Sequence, residues 1–137
     1  MNAEPTAEEL ERRRRLVRAL SESVQGPGTV RFAGFADDFR WRMIGTTPVS
    51  GLMVGVDGVR EKMQPFRERM TELRVTVDDV ICEGDRCVKL AHSEGRMADG
   101  RTYRNEYATV FRFEDDLVVE VVEYLDTALI ESVFRDG

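Results

Sequence analysis

The chain has 137 residues, 42% of them hydrophobic and 34% charged, with a formal net charge of −6. That length suits one domain, residues 1–137, and that composition can bury a core beneath a charged surface. No apolar run approaches the roughly 20 residues of a membrane helix, and the acidic balance argues against nucleic acid, whose phosphates want a basic surface.

The opening stretch MNAEPTAEELERRRR lacks the apolar segment of a secretory signal, so a cytoplasmic address is expected. Thr6-Ala7-Glu8-Glu9, after Pro5, has capping-box spacing. Leu16, Val17, Leu20 and Val24 then recur at helical intervals. The run Arg12-Arg13-Arg14-Arg15 follows Glu8, Glu9 and Glu11 and reads as a solvated face of i to i+4 pairs. The helix should end by the QGPG of 25–28, and a short apolar piece, VRFAGFADDF, follows. FRWRMI at 39–44 alternates with Phe39, Trp41 and Met43 on one face, as a strand does. GTTPVSG reads as a loop. VGVDGVREKMQPFRERM reads as a helix with Asp57 as its N-cap, kinked or divided at Pro65.

From Thr71 onward the period changes to two. ELRVTVDDVIC, RCVKLAHSEGRM, RTYRNEYATVFRF and LVVEVVEYLD are four strands separated by the short turns EGD, ADG and EDD, an antiparallel meander. TALIESVFRDG forms a final short helix, with Asp126 capping it. Helices before strands give the α+β class. The helices should cover one face of a curved antiparallel sheet and close it into a cone with an apolar interior, a natural pocket for a small molecule. Cys82 and Cys87 flank a tight turn and are expected as reduced thiols. With no second Cys pair and a single histidine, no zinc site is expected.

The row facing the cavity takes Trp41 and Met43 from the first strand and Val88, Leu90, His92 and Glu94 from the second strand of the meander. The next strand offers Tyr103, Asn105, Tyr107, Thr109, Phe111 and Phe113, and the last offers Val121, Glu123 and Leu125. A carboxylate in such a lining is costly unless paired, and burial raises its pKa into the range useful to a general acid or base. Glu123 with His92 therefore reads as a catalytic pair, and Trp41, Met43, Leu90, Glu94, Asn105, Tyr107, Thr109 and Phe111 as substrate contacts. The bland alternatives are a solvated Glu123 at the rim, a structural His92, and a Glu94 paired with Arg96 or Arg101. GxGxxG, GxxxxGK[ST] and GxSxG are all missing, so no nucleotide, flavin or metal is expected as a cofactor.

FADDFRWRMIG, PVSGLMVGVDGVREKM and DGRTYRNEYATVFRFEDDLVVEVVEYLDT, in that order, resemble the nuclear transport factor 2-like superfamily, and within it the SnoaL-like polyketide cyclases. The resemblance spans about residues 8–135. It implies a cone-shaped α+β barrel with a deep hydrophobic cavity, often a homodimer through the sheet. It does not fix an activity, since this fold hosts many. The ketosteroid isomerase base falls on Met43 and its oxyanion-hole acid near Thr109. Of the limonene-epoxide hydrolase set, the last-strand acid is kept as Glu123. Its Arg-x-Asp pair falls on His92-Ser93-Glu94 or Leu90-Ala91-His92, and its water-holding Tyr and Asn on Trp41 and Met43. A SnoaL-type acid on the last strand with a polar partner fits Glu123 and His92 best. The resemblance thus implies a cofactor-independent enzyme acting on a hydrophobic polyketide, terpenoid or steroid-like molecule by cyclisation, isomerisation, dehydration or epoxide opening. The alternatives are a non-catalytic binding protein using the same cavity, and an interaction subunit using the outer sheet face.

Overall fold

The computed structural model describes residues 4–22 and 32–135. Helix α1 (Ala7–Glu22) starts at the expected capping box, with Glu9 N donating to Thr6 Oγ1 at 3.1 Å. It buries Val17 and Leu20; Val24 and the QGPG expected to end the helix lie outside the described residues. The arginine run is not a uniformly solvated face. Arg14 pairs with Glu11, but Arg13 turns inward over the Phe113 ring at 5.1 Å. Its guanidinium donates to Gly84 O at 3.1 Å and Asp115 O at 2.8 Å. Arg13 thereby pins α1 to the two turns at one end of the sheet.

The sheet has six strands: β1 (Phe35–Met43), β2 (Gly51–Val54), β3 (Met70–Glu83), β4 (Arg86–Met97), β5 (Thr102–Glu114) and β6 (Leu117–Leu125). Their order is β2-β1-β6-β5-β4-β3, a curved sheet with two unpaired edges rather than a closed barrel. The expected meander is β3 to β6. The sheet is not wholly antiparallel, because β1 runs parallel to β6. Gly51, expected in the loop, and Val54, expected to open the helix, instead belong with Leu52 and Met53 to β2, a short edge hairpin on β1.

Helix α2 (Gly55–Glu68) is capped at Val54 without a side-chain bond, so Asp57 lies in its first turn rather than at its N-cap. It runs through Pro65 undivided. Proline removes one N–H and crowds the preceding turn, and here it lies within a turn of the helix end. Helix α3 (Thr127–Val133) is capped by Asp126, whose Oδ1 accepts from Ala128 N at 3.0 Å.

Helices α1 and α2 pack on the concave face of the sheet over Phe39, Phe111, Val118 and Val121. Two irregularities set the inward rows. In β3 the register slips between Val77 and Asp79, so Val77 and Val80 both face inward and Asp78 bulges. Between β5 and β6 it slips at Arg112/Phe113, so Val118 is buried while Leu117 is exposed. Cys82 and Cys87 sit directly opposite each other across β3 and β4 and are joined by a disulfide, not held as free thiols. The two-residue turn at Gly84 and Asp85, with Gly84 at φ 58°, fixes that pairing.

Candidate active site

One apolar cavity of about 150 Å³ lies between the concave sheet face and the helices. Trp41, Met43 and Met53 form one side, Met63, Phe66 and Ile130 close it from the helices, and Lys89, Tyr103, Tyr107 and Glu123 supply its polar groups. A wider depression of about 440 Å³ lies between the outer ends of β3, β4 and β5. It is open and rimmed by charged side chains, most of them already paired, Arg96 with Glu72 and Arg104 with Glu94. The apolar cavity, with its few convergent polar groups, is the better candidate.

The polar groups come from one row across the sheet: Met43, Glu123, Thr109, Lys89 and Val80 are successive cross-strand partners. Thr109, 1% exposed, is a short spacer between two long side chains. Their backbones are two strands, about 10 Å, apart. Glu123 keeps some accessible surface, and that surface faces the cavity it lines. Trp41 Nε1 donates to Glu123 Oε1 at 3.1 Å. Among the described residues no donor reaches the second oxygen, so it is free for a ligand. Burial raises the Glu123 pKa, opposed by the Lys89 charge and the Trp41 hydrogen bond. Lys89 is 9% exposed, and its Nζ stands 5.6 Å over the Phe111 ring. Burial lowers its pKa, and Glu123 opposes that shift. Among the described residues Nζ has no ion pair and no hydrogen-bond acceptor.

A tyrosine network lies beside this row. The Tyr107 and Ser93 hydroxyls are 2.8 Å apart, and Asn105 Nδ2 donates to Tyr103 OH at 2.8 Å. Burial pushes the Tyr103 pKa up to about 12 and that of Tyr107 well above the usual range. Both phenols are therefore neutral donors at ordinary pH.

The expected His92–Glu123 pair does not form. β4 points Cys87, Lys89, Ala91 and Ser93 inward, and Leu90, His92 and Glu94 outward. His92 is exposed, with Nδ1 2.8 Å from Asp78 Oδ2, and this contact raises its pKa. Glu94 bonds Arg104 at 3.0 Å on the outer face, and Leu90 is 38% exposed. Trp41, Met43, Tyr107 and Glu123 do line the cavity. Thr109 and Phe111 are buried beneath it rather than lining it. Asn105, also buried, ties β5 to the end of β6 by accepting from Asp126 N at 3.1 Å. Sequence reasoning missed Lys89. The available signal was parity: Cys82 and Cys87 flank a two-residue turn, and Lys89 shares a face with Cys87.

Residues 14–121 match the family model of the SnoaL-like domain. The chain belongs to the SnoaL-like family. This SnoaL-like chain is similar in structure to an NTF2-like protein of unknown function from Burkholderia pseudomallei, at 25% identity and TM-score 0.68, covering 77% of this chain and 82% of that one. A protein from Jannaschia provisionally named a SnoaL-like polyketide cyclase shares the fold over 97% of this chain and 96% of its own, at 17% identity and TM-score 0.67. TerC, crystallised with polyporic acid, matches at 19% identity and TM-score 0.66 over 75% of this chain and 82% of that one. No curated protein sequence matches the chain. Among the described residues no helix is long and apolar enough to cross a membrane, and no cluster of three or more His, Cys, Asp or Glu could hold a metal ion.

Proposed function

We propose that this chain is a cofactor-independent acid/base enzyme that moves a proton on a hydrophobic small molecule, with Glu123 as the acid or base. The observation that carries this reading is a carboxyl group in an apolar cavity, one oxygen fixed by Trp41 and the other, among the described residues, free. Desolvation raises the Glu123 pKa above 4.5, toward the range where one group can both accept and return a proton. Trp41 orients the carboxyl, Tyr107 and Tyr103 offer neutral donors to a substrate oxygen, and Met43 shapes the wall. The reaction belongs to cyclisation, isomerisation, dehydration or epoxide opening. A similar protein crystallised with polyporic acid and another named for polyketide cyclisation support an organic ligand of this kind.

The cavity of about 150 Å³ restricts the choice. An apolar cavity of that size takes a ring the size of benzene, so a compact substrate fits first and a fused-ring polyketide or steroid requires the wall to open. We further read the chain as one domain over residues 1–137, working in the cytoplasm as a homodimer. Two rows of the outer sheet face support the dimer: Ile81, Val88, Val110 and Val122, and beside them Leu90, Ala108 and Tyr124. Ile81, Leu90 and Tyr124 are exposed at 53%, 38% and 45%.

The test is Glu123→Gln, which keeps the shape and the acceptor for Trp41. Screened on enolisable ketones and epoxides of single-ring size, the variant should lose at least about 100-fold in rate. Unchanged turnover sinks the assignment. A binding protein using the same cavity is the second reading, favoured by the absence of a histidine beside Glu123. It predicts tight binding of such compounds with no turnover in either protein.

A further inference from the structure

The Lys89 amine is the feature that acid/base chemistry at Glu123 leaves unused. It is 9% exposed, lines the apolar cavity, and among the described residues finds no acceptor or counter-ion within bonding reach. A buried ammonium without partners is costly. The chain also has only two lysines, Lys62 and Lys89, against 18 arginines. Arginine supplies nearly all the surface cations, yet the cavity position carries the one basic side chain able to lose its proton readily when buried.

We propose that Lys89 is a nucleophile that forms an imine with a compact apolar aldehyde or ketone held in the cavity, with Glu123 as its proton shuttle. This rests on the acid/base reading of Glu123 and names the substrate class. The Nζ lone pair attacks the carbonyl carbon, and the C=O π pair moves to oxygen. A proton passes from nitrogen to that oxygen, giving a carbinolamine. The Glu123 carboxyl protonates the hydroxyl, which leaves as water as the nitrogen lone pair closes C=N. The resulting Glu123 carboxylate then removes a proton from the carbon next to the iminium carbon, whose positive charge takes up the electron pair as an enamine. Reprotonation at the same carbon or one conjugated with it, followed by hydrolysis, releases the product and the free amine. Water leaves and returns, and no oxidant or reductant is consumed.

The geometry supplies both reagents. Glu123 and Lys89 flank Thr109 in one row, so a carbonyl carbon set at Nζ places its neighbouring carbon over the spacer, toward the carboxyl. Burial also lowers the amine's pKa and raises the carboxyl's, so each group gives up its charge more readily than it would in water, as the first steps require.

The test uses the full chain, benzaldehyde as a ring-sized probe, and cyanoborohydride to trap the imine, with sites read by peptide mass spectrometry. Lys62 is the internal control. The proposal expects one benzyl group on Lys89, added at least tenfold faster than on Lys62 or the N-terminal amine, and slowed at least tenfold in Glu123→Gln. Labelling of Lys62 as fast as Lys89, or no label on Lys89, overturns it. A second measurement separates this failure from failure of the acid/base reading: wash-in of deuterium next to the carbonyl of cyclohexanone in heavy water. Loss of exchange in both Glu123→Gln and Lys89→Met is expected. Exchange that survives in Lys89→Met but not in Glu123→Gln refutes the imine and keeps the acid/base reading. Exchange that survives in both variants refutes both.

Discussion

Replacing both charged groups of the cavity with neutral side chains of similar shape, Lys89→Met with Glu123→Gln, should make the protein more stable. The two groups are separated by Thr109 in the row and form no salt bridge. At a separation of roughly 5–8 Å and an effective dielectric constant of about 20, their attraction is worth about 2–3 kcal/mol. Removing each ion from water costs several kcal/mol even after relaxation. Two such penalties exceed one such attraction, so the double variant should gain about 1–4 kcal/mol at neutral pH, or about 4 °C in melting temperature per kcal/mol at this chain length.

The pH dependence follows from the signs. The folded-state pKa of Glu123 is raised above 4.5, so the native state binds more protons than the unfolded chain between those values, and its contribution falls as pH rises through that window. The folded-state pKa of Lys89 is depressed below 10.5, so the native state binds fewer protons there and stability rises toward pH 10.5. The advantage of the double variant is therefore largest between the two windows. It shrinks by the Glu123 share as pH falls to 4.5 and by the Lys89 share as pH rises to 10.5. Urea unfolding followed by far-ultraviolet circular dichroism at several pH values measures this. A double variant less stable than wild type by more than about 1 kcal/mol would mean that the pair attracts more than its desolvation costs, and the reasoning would fail.

Three further outcomes are expected. The only histidine should titrate above 6.5 by NMR, return toward 6.5 in Asp78→Asn, and not move in Glu123→Gln; a shift in the last variant would put the two side chains in contact after all. At Gly95 an added Cβ would stand 2.5 Å from Glu72 O, so Gly95→Ala should cost about 1–3 kcal/mol by pushing β3 and β4 apart, and an unchanged urea midpoint would contradict that packing. Leu90→Glu with Tyr124→Arg, on the exposed outer face, should convert a dimer of 15.7 kDa chains to monomers by light scattering; a monomeric wild type would end the dimer reading.

The parts legible in the sequence were those where alternation and chemistry agreed. β5 sets Tyr103, Asn105, Tyr107, Thr109, Phe111 and Phe113 on one face and arginines and glutamates on much of the other, and that face is inward. Trp41, Met43 and Glu123 followed from the same contrast. β4 misled because its inward face is small and polar, while Val88 and Leu90 on the outer face are larger and more apolar. Hydrophobicity therefore pointed outward, and His92 was taken for a cavity residue while Lys89 was overlooked. The bulge at Asp78 and the slip at Val119, between Val118 and Glu120, could not be read either, since each shifts parity without a marking glycine or proline. Arg13 was hidden among identical neighbours; only the position of the two turns it bonds distinguishes it.

The central claim, an acid/base carboxyl in an apolar cavity, has a direct reporter. Trp41 is the only tryptophan, and its indole N–H donates to Glu123. The position of that single N–H resonance against pH follows the ionisation of its acceptor. The account predicts one transition with a midpoint above 4.5, abolished in Glu123→Gln. A midpoint at or below 4.5, or the same titration in the variant, would contradict it.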